Sequence, residues 1–329
     1  MVKIPNHLKG RDYIRTQDWS KEDLMTIINT AEALKFAFKH NEPTEFLKNK
    51  TIFLMFFDKS TRTRNAFEAG ITQLGGHAHY IDVSTSQISH GESAKDTGII
   101  LSRYGHGIAI RHDLVPYEGE KYMREMAFWA DKPIINLQSD IDHPTQTIAD
   151  LMTIFERFGT NLRGLKVAVS WAYTKSYAKP LSVPQGLIML FTRFGMDVVL
   201  AHPPEYKLMP EIVEIARRNA EREGTKLEIV DDMEYAFKDA DIVYPKSWGA
   251  LELFSNPEES LKLAEKYKNW IVDENKMRLT KPHSIYMHCL PAARGEEVTD
   301  DVIDGPHSVV FDEAENRLHT AKALMALLM

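Results

Sequence analysis

Short apolar runs alternate with stretches of helical period along almost the whole chain. Thr51–Phe57 (TIFLMFF) is a continuous apolar run and predicts a strand buried on both faces. Further strands are predicted at His79–Val83, Gly107–Arg111, Pro133–Leu137, Lys166–Trp171, Asp197–Ala201, Leu227–Val230, Asp241–Tyr244 and Ser284–Leu290. Between them, apolar residues recur at three- and four-residue spacing in Asn65–Leu74, Gln146–Phe158, Glu211–Glu223 and Leu261–Lys268, the mark of amphipathic helices. Ser20 and Asp23 have the form of a capping box opening a first, N-terminal helix. The closing segment Glu313–Met329 carries an apolar stripe of Leu318, Ala321, Leu324 and Leu328, suited to packing back on an earlier part of the fold. Strand–helix alternation of this kind predicts an α/β protein built on parallel sheets flanked by helices.

The rhythm pauses around Asp140–Gly164, where a long helix pattern ends in Gly159-Thr-Asn161, and the domain boundary is expected there. At 329 residues the chain has the length of about two domains. One connection breaks the short-loop rule. Trp171–Pro184 (WAYTKSYAKPLSVP) separates a strand from its helix by about a dozen residues, and Pro180 and Pro184 make it stiff and extended.

Composition narrows the class without naming a chemistry. With 43% hydrophobic and 26% charged residues the chain is neither disordered nor fibrous, and no apolar run reaches the roughly 18 residues of a membrane span. A formal charge of −7 argues against a nucleic-acid protein with a basic face, though not against a local anion site. The single cysteine, Cys289, excludes an intrachain disulfide and points to a reducing, cytoplasmic setting.

The sharpest chemical feature is Asp58-Lys-Ser-Thr-Arg-Thr-Arg64, directly after a buried strand and before a helix. In a parallel sheet this is the carboxyl edge, where ligands bind. Hydroxyls and guanidiniums converge there on a helix N-terminus, which suits a phosphate. The segment is neither a Walker loop nor Gly-x-Gly-x-x-Gly, so nucleotide and dinucleotide binding lose support. Arg111 ends another strand, and His143-Pro-Thr-Gln146 opens a helix at the same kind of edge, with Pro144 suited to a first helical turn. Ser86–Glu92 is a polar loop, read by itself as a turn. Cys289 sits in His288-Cys-Leu-Pro291 at a strand end. The histidines His283, His288, His307 and His319 lack zinc-site spacing, so no metal is expected.

Taken together these segments resemble the aspartate/ornithine carbamoyltransferase family over nearly the whole chain. The pieces are Ser60-Thr-Arg-Thr-Arg64, the Gln87 loop with Gly91-Glu-Ser93 and Lys95-Asp-Thr97, Arg111, His143-Pro-Thr-Gln146, His288-Cys-Leu-Pro291 and Glu313-Ala-Glu-Asn-Arg-Leu318, six in the family's order. The His-Cys-Leu-Pro form is similar to the ornithine branch. The resemblance implies a carbamoyl-phosphate domain over residues 1–142, with the C-terminal helix 313–329 packed on it, and an acceptor domain over 143–312. It implies a homotrimer whose active sites, in the cleft between domains, are shared between subunits. Ser60, Thr61, Arg62 and Thr63 would then hold the phosphate, and Arg111 would reach both phosphate and carbonyl oxygen. Gln87 would arrive from the adjacent subunit. His143 would donate to the carbamoyl oxygen, Gln146 and the carbonyls of Cys289 and Leu290 would bind its amide nitrogen, and Arg317 would complete the pocket. The implied reaction is transfer of the carbamoyl group to a neutral, amino-acid-like amine, with no covalent enzyme intermediate and no metal or organic cofactor. Neither nucleic acid nor membrane is an expected partner.

Two segments depart from plain ornithine enzymes. These commonly carry Asp-x-x-x-Ser-Met-Gly after the strand that is here Asp241–Tyr244, whereas this chain reads Tyr244-Pro-Lys-Ser-Trp-Gly-Ala250. By register Lys246 takes the place of the aspartate that binds ornithine's ammonium groups, and a cation there should repel ornithine and attract a carboxylate or carbonyl. Lys179-Pro-Leu-Ser-Val-Pro-Gln185 is similar to the proline-rich loop of the knotted carbamoyltransferases, the N-acetylornithine and N-succinylornithine enzymes among them, which share Lys-Ser-Trp. That similarity implies a trefoil knot in the second domain, with Lys179, Lys246, Ser247 and Trp248 around the acceptor. Arg294-Gly-Glu-Glu-Val298, by contrast, is a string of the ornithine branch. The expected acceptor is therefore an amine other than free ornithine. Ornithine, giving citrulline in arginine metabolism, is the alternative, and a non-catalytic binding protein on the same fold is the rival from another class. A dehydrogenase drops away for want of the glycine fingerprint.

Overall fold

A computed structural model describes residues 2–176 and 179–329. The chain divides into two compact units: residues up to Met152 together with Ala314–Met329, and Thr153–Glu313. The division falls inside a helix. It lies within the Asp140–Gly164 stretch expected from the sequence and beyond the 142/143 limit that the resemblance implies, because Pro144–Phe158 is continuous helix and its first turns stay with the first unit.

The first unit opens with α1 (Lys21–Lys39) and continues β1 (Thr51–Phe56), α2 (Arg62–Gln73), β2 (His77–Asp82), α3 (Ala94–Tyr104), β3 (Gly107–His112), α4 (Gly119–Trp129), β4 (Ile134–Ser139) and α5 (Pro144–Phe158). Ser20 caps α1 by accepting from the Asp23 N–H at 3.0 Å, whereas the Asp23 carboxylate turns to Arg11 instead of closing the box. The four strands lie parallel in the order β2-β1-β3-β4. The central strand β1 is the continuous apolar run. At the edge, β2 reads His-Ala-His-Tyr-Ile-Asp and is half exposed. The other edge strand, β4, is wholly buried because Tyr13 lies alongside it, donating to Ile134 O and accepting from Asn136 N, each at 2.8 Å.

In the second unit follow β5 (Lys166–Trp171), α6 (Ser182–Arg193), β6 (Asp197–Ala201), α7 (Pro210–Glu223), β7 (Leu227–Val230), α8 (Met233–Phe237), β8 (Ile242–Lys246), α9 (Pro257–Ala264), α10 (Glu274–Met277), β9 (Ile285–Tyr286) and α11 (Asp300–Ile303). The last helix, α12 (Val310–Leu328), begins in this unit and ends in the first. The five strands are again parallel, ordered β7-β6-β5-β8-β9.

Three elements differ from the sequence expectation. The strand expected at Ser284–Leu290 shrinks to two residues. Met287 N–H still reaches Val243 O, but the next donors leave the ladder: His288 N–H goes to the Glu313 carboxylate and Leu290 N–H to His288 Nδ1, both at 2.8 Å. Helix α9 starts earlier than the periodicity of Leu261–Lys268, because Asn256 caps it and Pro257 fills its first position. Pro184 does not stiffen the long connection. It lies in the first turn of α6, where an N–H would have no helical partner, so the connection is residues 172–181. Tyr177 and Ala178 of that connection lie outside the described residues.

Candidate functional site

In open parallel sheets ligands bind at the carboxyl edge where the strand order reverses. The first sheet reverses between β1 and β3, and the second between β5 and β8. Part of the sequence-selected set stands at those two places. The segment after β1 and the end of β3 carry Ser60–Thr63 and Arg111. The segments after β5 and β8 carry Lys179 and Lys246–Trp248.

Helix starts set these places apart. Among the twelve helices of the described residues, only α2, α5 and α6 have no Asp or Glu in the first turn. Elsewhere an acid offsets the positive end of the helix. Here that end is left for something else. Thr61 precedes α2 without a side-chain cap, and Leu181 precedes α6 in the same way.

In the first unit Thr63 is buried in the opening turn of α2 and its hydroxyl accepts from Arg317 of α12. Arg111 pairs with Phe56 across the sheet and forms a two-point ion pair with Asp113, Nε–Oδ1 3.1 Å and Nη2–Oδ2 2.9 Å. Burial raises the Asp113 carboxyl, and Arg111 opposes that rise. The following α4 comes so close that a Cβ on Gly119 would stand 1.8 Å from the His112 carbonyl, so only glycine fits. Arg64, the other arginine of the motif, points elsewhere. It binds Glu68 at 2.9 Å and lies 3.6 Å over the Tyr80 ring.

His143 is buried at the start of α5. Burial, then the charges of Arg317, Arg111 and Arg62, push its imidazole well below the usual range, so the ring is neutral. Thr145 Oγ1 stands 3.2 Å from its Nδ1 and 3.1 Å from Leu137 O, and its one proton can go to either, so the turn of this hydroxyl determines which ring nitrogen holds the single proton. Gln146 donates from Nε2 to Asp150 at 2.7 Å, which turns its amide oxygen away from that acid. Behind the histidine, buried Asp142 accepts from the Thr16 N–H at 3.0 Å and the Thr16 hydroxyl at 3.2 Å. Burial pushes this carboxyl up to about 7. Ser60 and Thr61 stand at the mouth of α2, while Gln87 lies apart on an exposed 3₁₀ turn beyond β2.

The second unit's cluster is organised by a residue that the sequence reading passed over. Glu297 has no exposure. Its Oε1 accepts from Ser247 N–H at 2.8 Å and lies 3.5 Å from His288 Nε2 and 3.9 Å from Lys246 Nζ, while its Oε2 accepts from Ala293 N–H at 2.7 Å. Burial works to raise this carboxyl, but Lys246, with His288 and Lys179, outweighs it and holds it below the usual carboxylate range. Since Leu290 N–H donates to His288 Nδ1, the ring proton of His288 lies on Nε2, facing Glu297. Leu290 sits at φ 54°, a left-handed conformation that costs about 1–2 kcal/mol for a side-chain-bearing residue. Cys289, the single cysteine, is buried beside it.

Lys246 is consequently not a bare cation. Besides Glu297 it donates to the Ser247 carbonyl at 3.0 Å. Trp248 is buried, with its indole N–H given to Tyr206 O at 2.8 Å. The neighbouring Glu296 fastens the proline-rich connection, accepting from Thr174 Oγ1 at 3.1 Å and Lys175 N–H at 2.9 Å. The only sequence signal for Glu296 and Glu297 is the Arg-Gly-Glu-Glu-Val string, a string of the ornithine branch. Among the described residues no group of His, Cys, Asp and Glu could hold a metal ion, and no helix is long and apolar enough to cross a membrane.

Comparison with known proteins agrees along the whole chain. The carbamoyl-P binding domain of the aspartate/ornithine carbamoyltransferase family matches residues 11–156, and the family's Asp/Orn binding domain matches residues 179–328. The chain is 38% identical to the putative carbamoyltransferase YgeW of Escherichia coli K12, covering 98% of this chain and 90% of that protein. It is 41% identical to the ornithine carbamoyltransferase of Thermococcus kodakarensis, covering 98% and 97%. Among solved structures, ornithine carbamoyltransferase from Pyrococcus furiosus superimposes with a TM-score of 0.87 at 39% identity over 98% of each chain. An N-acetyl-L-ornithine transcarbamylase superimposes with a TM-score of 0.88 at 36% identity, over 97% of this chain and 100% of that one.

Proposed function

The chain belongs to the aspartate/ornithine carbamoyltransferase family, and from that premise we propose that it transfers the carbamoyl group of carbamoyl phosphate to an amino-acid-like amine other than free ornithine. The observation that carries this reading is a neutral, buried His143 under the charges of Arg62, Arg111 and Arg317, with Arg62 itself opening the uncapped, acid-free helix that follows a switch-point strand. Such a place takes a dianion and an oxygen that gains charge during reaction.

In this reading Ser60, Thr61, Arg62 and Thr63 hold the phosphate. The neutral amine attacks the carbamoyl carbon, and the oxyanion is stabilised by Thr63, Arg111 and His143. The carbon–oxygen bond to phosphate then breaks, the attacking nitrogen gives up its proton to the departing phosphate, and the arginines neutralise that phosphate. Preorganised donors of this kind contribute on the order of 3 kcal/mol each to lowering the barrier, and binding both reactants on one protein adds more. A neutral imidazole among arginines offers a hydrogen bond without becoming an acid, so His143 acts as a donor to the carbonyl oxygen. Gln146 presents its amide oxygen, and Cys289 and Leu290 their carbonyls, to the carbamoyl amide. Arg317 orients Thr63. Gln87, exposed on its turn, suits delivery to a neighbouring subunit of a homotrimer. A trefoil knot around the Lys179–Gln185 segment and a cytoplasmic setting belong to the same reading.

The acceptor is assigned to Lys179, Lys246, Ser247 and Trp248. Support for an amine other than ornithine is the presence of two lysines, and the aspartate's absence, where ornithine's ammonium groups would have to bind. One observation favours ornithine as a second reading: Glu297 neutralises Lys246, which weakens the repulsion. The test is incubation with carbamoyl phosphate and a panel of amines (ornithine, N-acetylornithine, N-succinylornithine, diaminopropionate, putrescine and aspartate), with ureido products detected by mass spectrometry. Turnover of ornithine far above every other amine would establish the second reading. No product and no phosphate release with any amine would favour a binding protein.

A further inference from the structure

Lys179 and Lys246 stand on two loops joined by a hydrogen bond from Gly249 N–H to the Lys179 carbonyl at 3.0 Å. What surrounds their ammonium groups differs. Lys246 is buried, and its charge is matched by Glu297, a carboxylate with no exposure of its own. Lys179 is only partly buried and makes no ion pair or side-chain hydrogen bond among the described residues. Two carboxylates act on it, Glu297 and Glu296, and both are occupied elsewhere. Glu297 serves Lys246 and the N–H groups of Ser247 and Ala293. Glu296 serves Thr174, the Lys175 N–H and the Lys175 ammonium at 3.2 Å. Burial and then the neighbouring Lys246 depress the Lys179 ammonium, so an arriving anion would relieve it. The acid-free start of α6, three residues further on, adds positive potential of the same sign.

Building on the carbamoyltransferase reading above, we propose that Lys179 determines acceptor specificity. Its ammonium pairs with a carboxylate or acyl oxygen at the end of the amine away from the attacking nitrogen and excludes an acceptor with a second ammonium there. Lys246 instead holds Glu297 and, through it, the Ser247 and Ala293 loops. The lysine singled out by register thus stands in the acceptor cluster as the counter-charge of Glu297, and the one on the proline-rich loop does the selecting.

The test is steady-state kinetics of the full-length protein with the amine panel, comparing wild type with Lys179→Met, Lys179→Arg, Lys179→Glu and Lys246→Met. Lys179→Met should raise the KM of the preferred acyl- or carboxylate-bearing amine by about 10- to 100-fold, the effect of losing one charge-assisted contact. The KM of carbamoyl phosphate should stay within about twofold, which also reports that the variant is folded. Lys179→Arg should recover most of the acceptor KM, and Lys179→Glu should shift preference towards ornithine or putrescine. If wild type uses an acyl amine and Lys179→Met changes neither acceptor KM nor preference, the role of Lys179 is overturned while the acceptor reading stands. If wild type prefers ornithine, the acceptor reading falls and this inference with it.

Discussion

Both units place their polar groups at the point where a parallel sheet reverses its strand order, yet they handle charge in opposite ways. In the first unit the cations are arginines, set around a histidine kept neutral, and Arg111 is tied by two points to the buried Asp113. In the second unit the cations are lysines, and a single buried carboxylate, Glu297, is shared among an ammonium, an imidazole and two backbone N–H groups. Arginine forks suit a phosphate whose geometry is fixed, whereas a lysine on a loop tolerates varied acceptors. The difference teaches where chemistry and specificity reside. On the proposed function, the first cluster defines what is transferred, and the second defines to what.

The largest effect should come from the first cluster. Arg62→Ala should weaken carbamoyl phosphate binding by about 100-fold or more, since it removes a charge-assisted contact of roughly 3 kcal/mol at an uncapped helix start. Isothermal titration with carbamoyl phosphate measures it. Near-normal affinity would mean that the phosphate does not sit at the start of α2, and the contrast between the units would lose its first half.

Glu297 tests the second half by stability. Glu297→Leu leaves the buried Lys246 ammonium without its counter-charge and two N–H groups without an acceptor. Breaking a buried pair costs about 3–5 kcal/mol, and urea unfolding should register a loss of that size. In Glu297→Leu/Lys246→Met, which removes both charges, much of it should return. A loss under about 1 kcal/mol in the single variant would show that Lys246 does not depend on Glu297, and would restore it as a bare cation for the acceptor.

This contrast bears on what was legible in the sequence. The first cluster was legible because its residues follow strands directly, within a few positions of a run such as Thr51–Phe57. Strand ends in parallel sheets are where ligands gather, so reading the strands located the groups. The second was legible only in outline. Lys246 was found by register from β8, but Glu297 acts from a loop some fifty residues away, and no local pattern connects the two. The shortened β9 shows the same limit. Its apolar run Ile285-Tyr-Met287 reads as strand, and only the fold reveals that Glu313 and an imidazole take the donors that follow. Likewise Arg64 looked like half of a phosphate clamp, until Glu68 and Tyr80 proved to hold it. Long-range partners, rather than propensities, account for what was missed.

A third prediction concerns the support behind His143. Burial lifts the folded pKa of Asp142 to about 7, above its unfolded value near 4. Between those values the folded state binds more protons than the unfolded one, so this group makes stability fall as pH rises through the window from about 4 to about 7. Above it the cost levels off, on the order of 4 kcal/mol for a shift of that size. Asp142→Asn keeps an oxygen for Thr16 and removes the charge. It should therefore be more stable than wild type at pH 8, with the gain shrinking towards pH 4. Urea unfolding at a series of pH values measures it, and an unchanged difference across the window would show that Asp142 does not titrate there.

The smallest effect should come from Thr145, and it bears most directly on how the first cluster works. In wild type the Thr145 hydroxyl lies within reach of both His143 Nδ1 and the Leu137 carbonyl. A neutral histidine donates to the carbamoyl oxygen from Nε2 only if its proton is there, and a hydrogen bond from the Thr145 hydroxyl to Nδ1 favours that tautomer. Thr145→Val keeps the shape and removes that donor, leaving the ring to choose its proton position without help. A single neutral hydrogen bond is worth about 1 kcal/mol, so kcat should fall by about fivefold while the KM of carbamoyl phosphate, set by the arginines, changes little. Thr145→Ser should recover most of the rate, because it returns the hydroxyl. The nitrogen chemical shifts of ¹⁵N-labelled His143 report the proton directly. They should place it on Nε2 in wild type and show a mixture in Thr145→Val. A proton found on Nδ1 in the active enzyme would recast His143 as an acceptor, and the oxyanion would then rest on Thr63 and Arg111 alone.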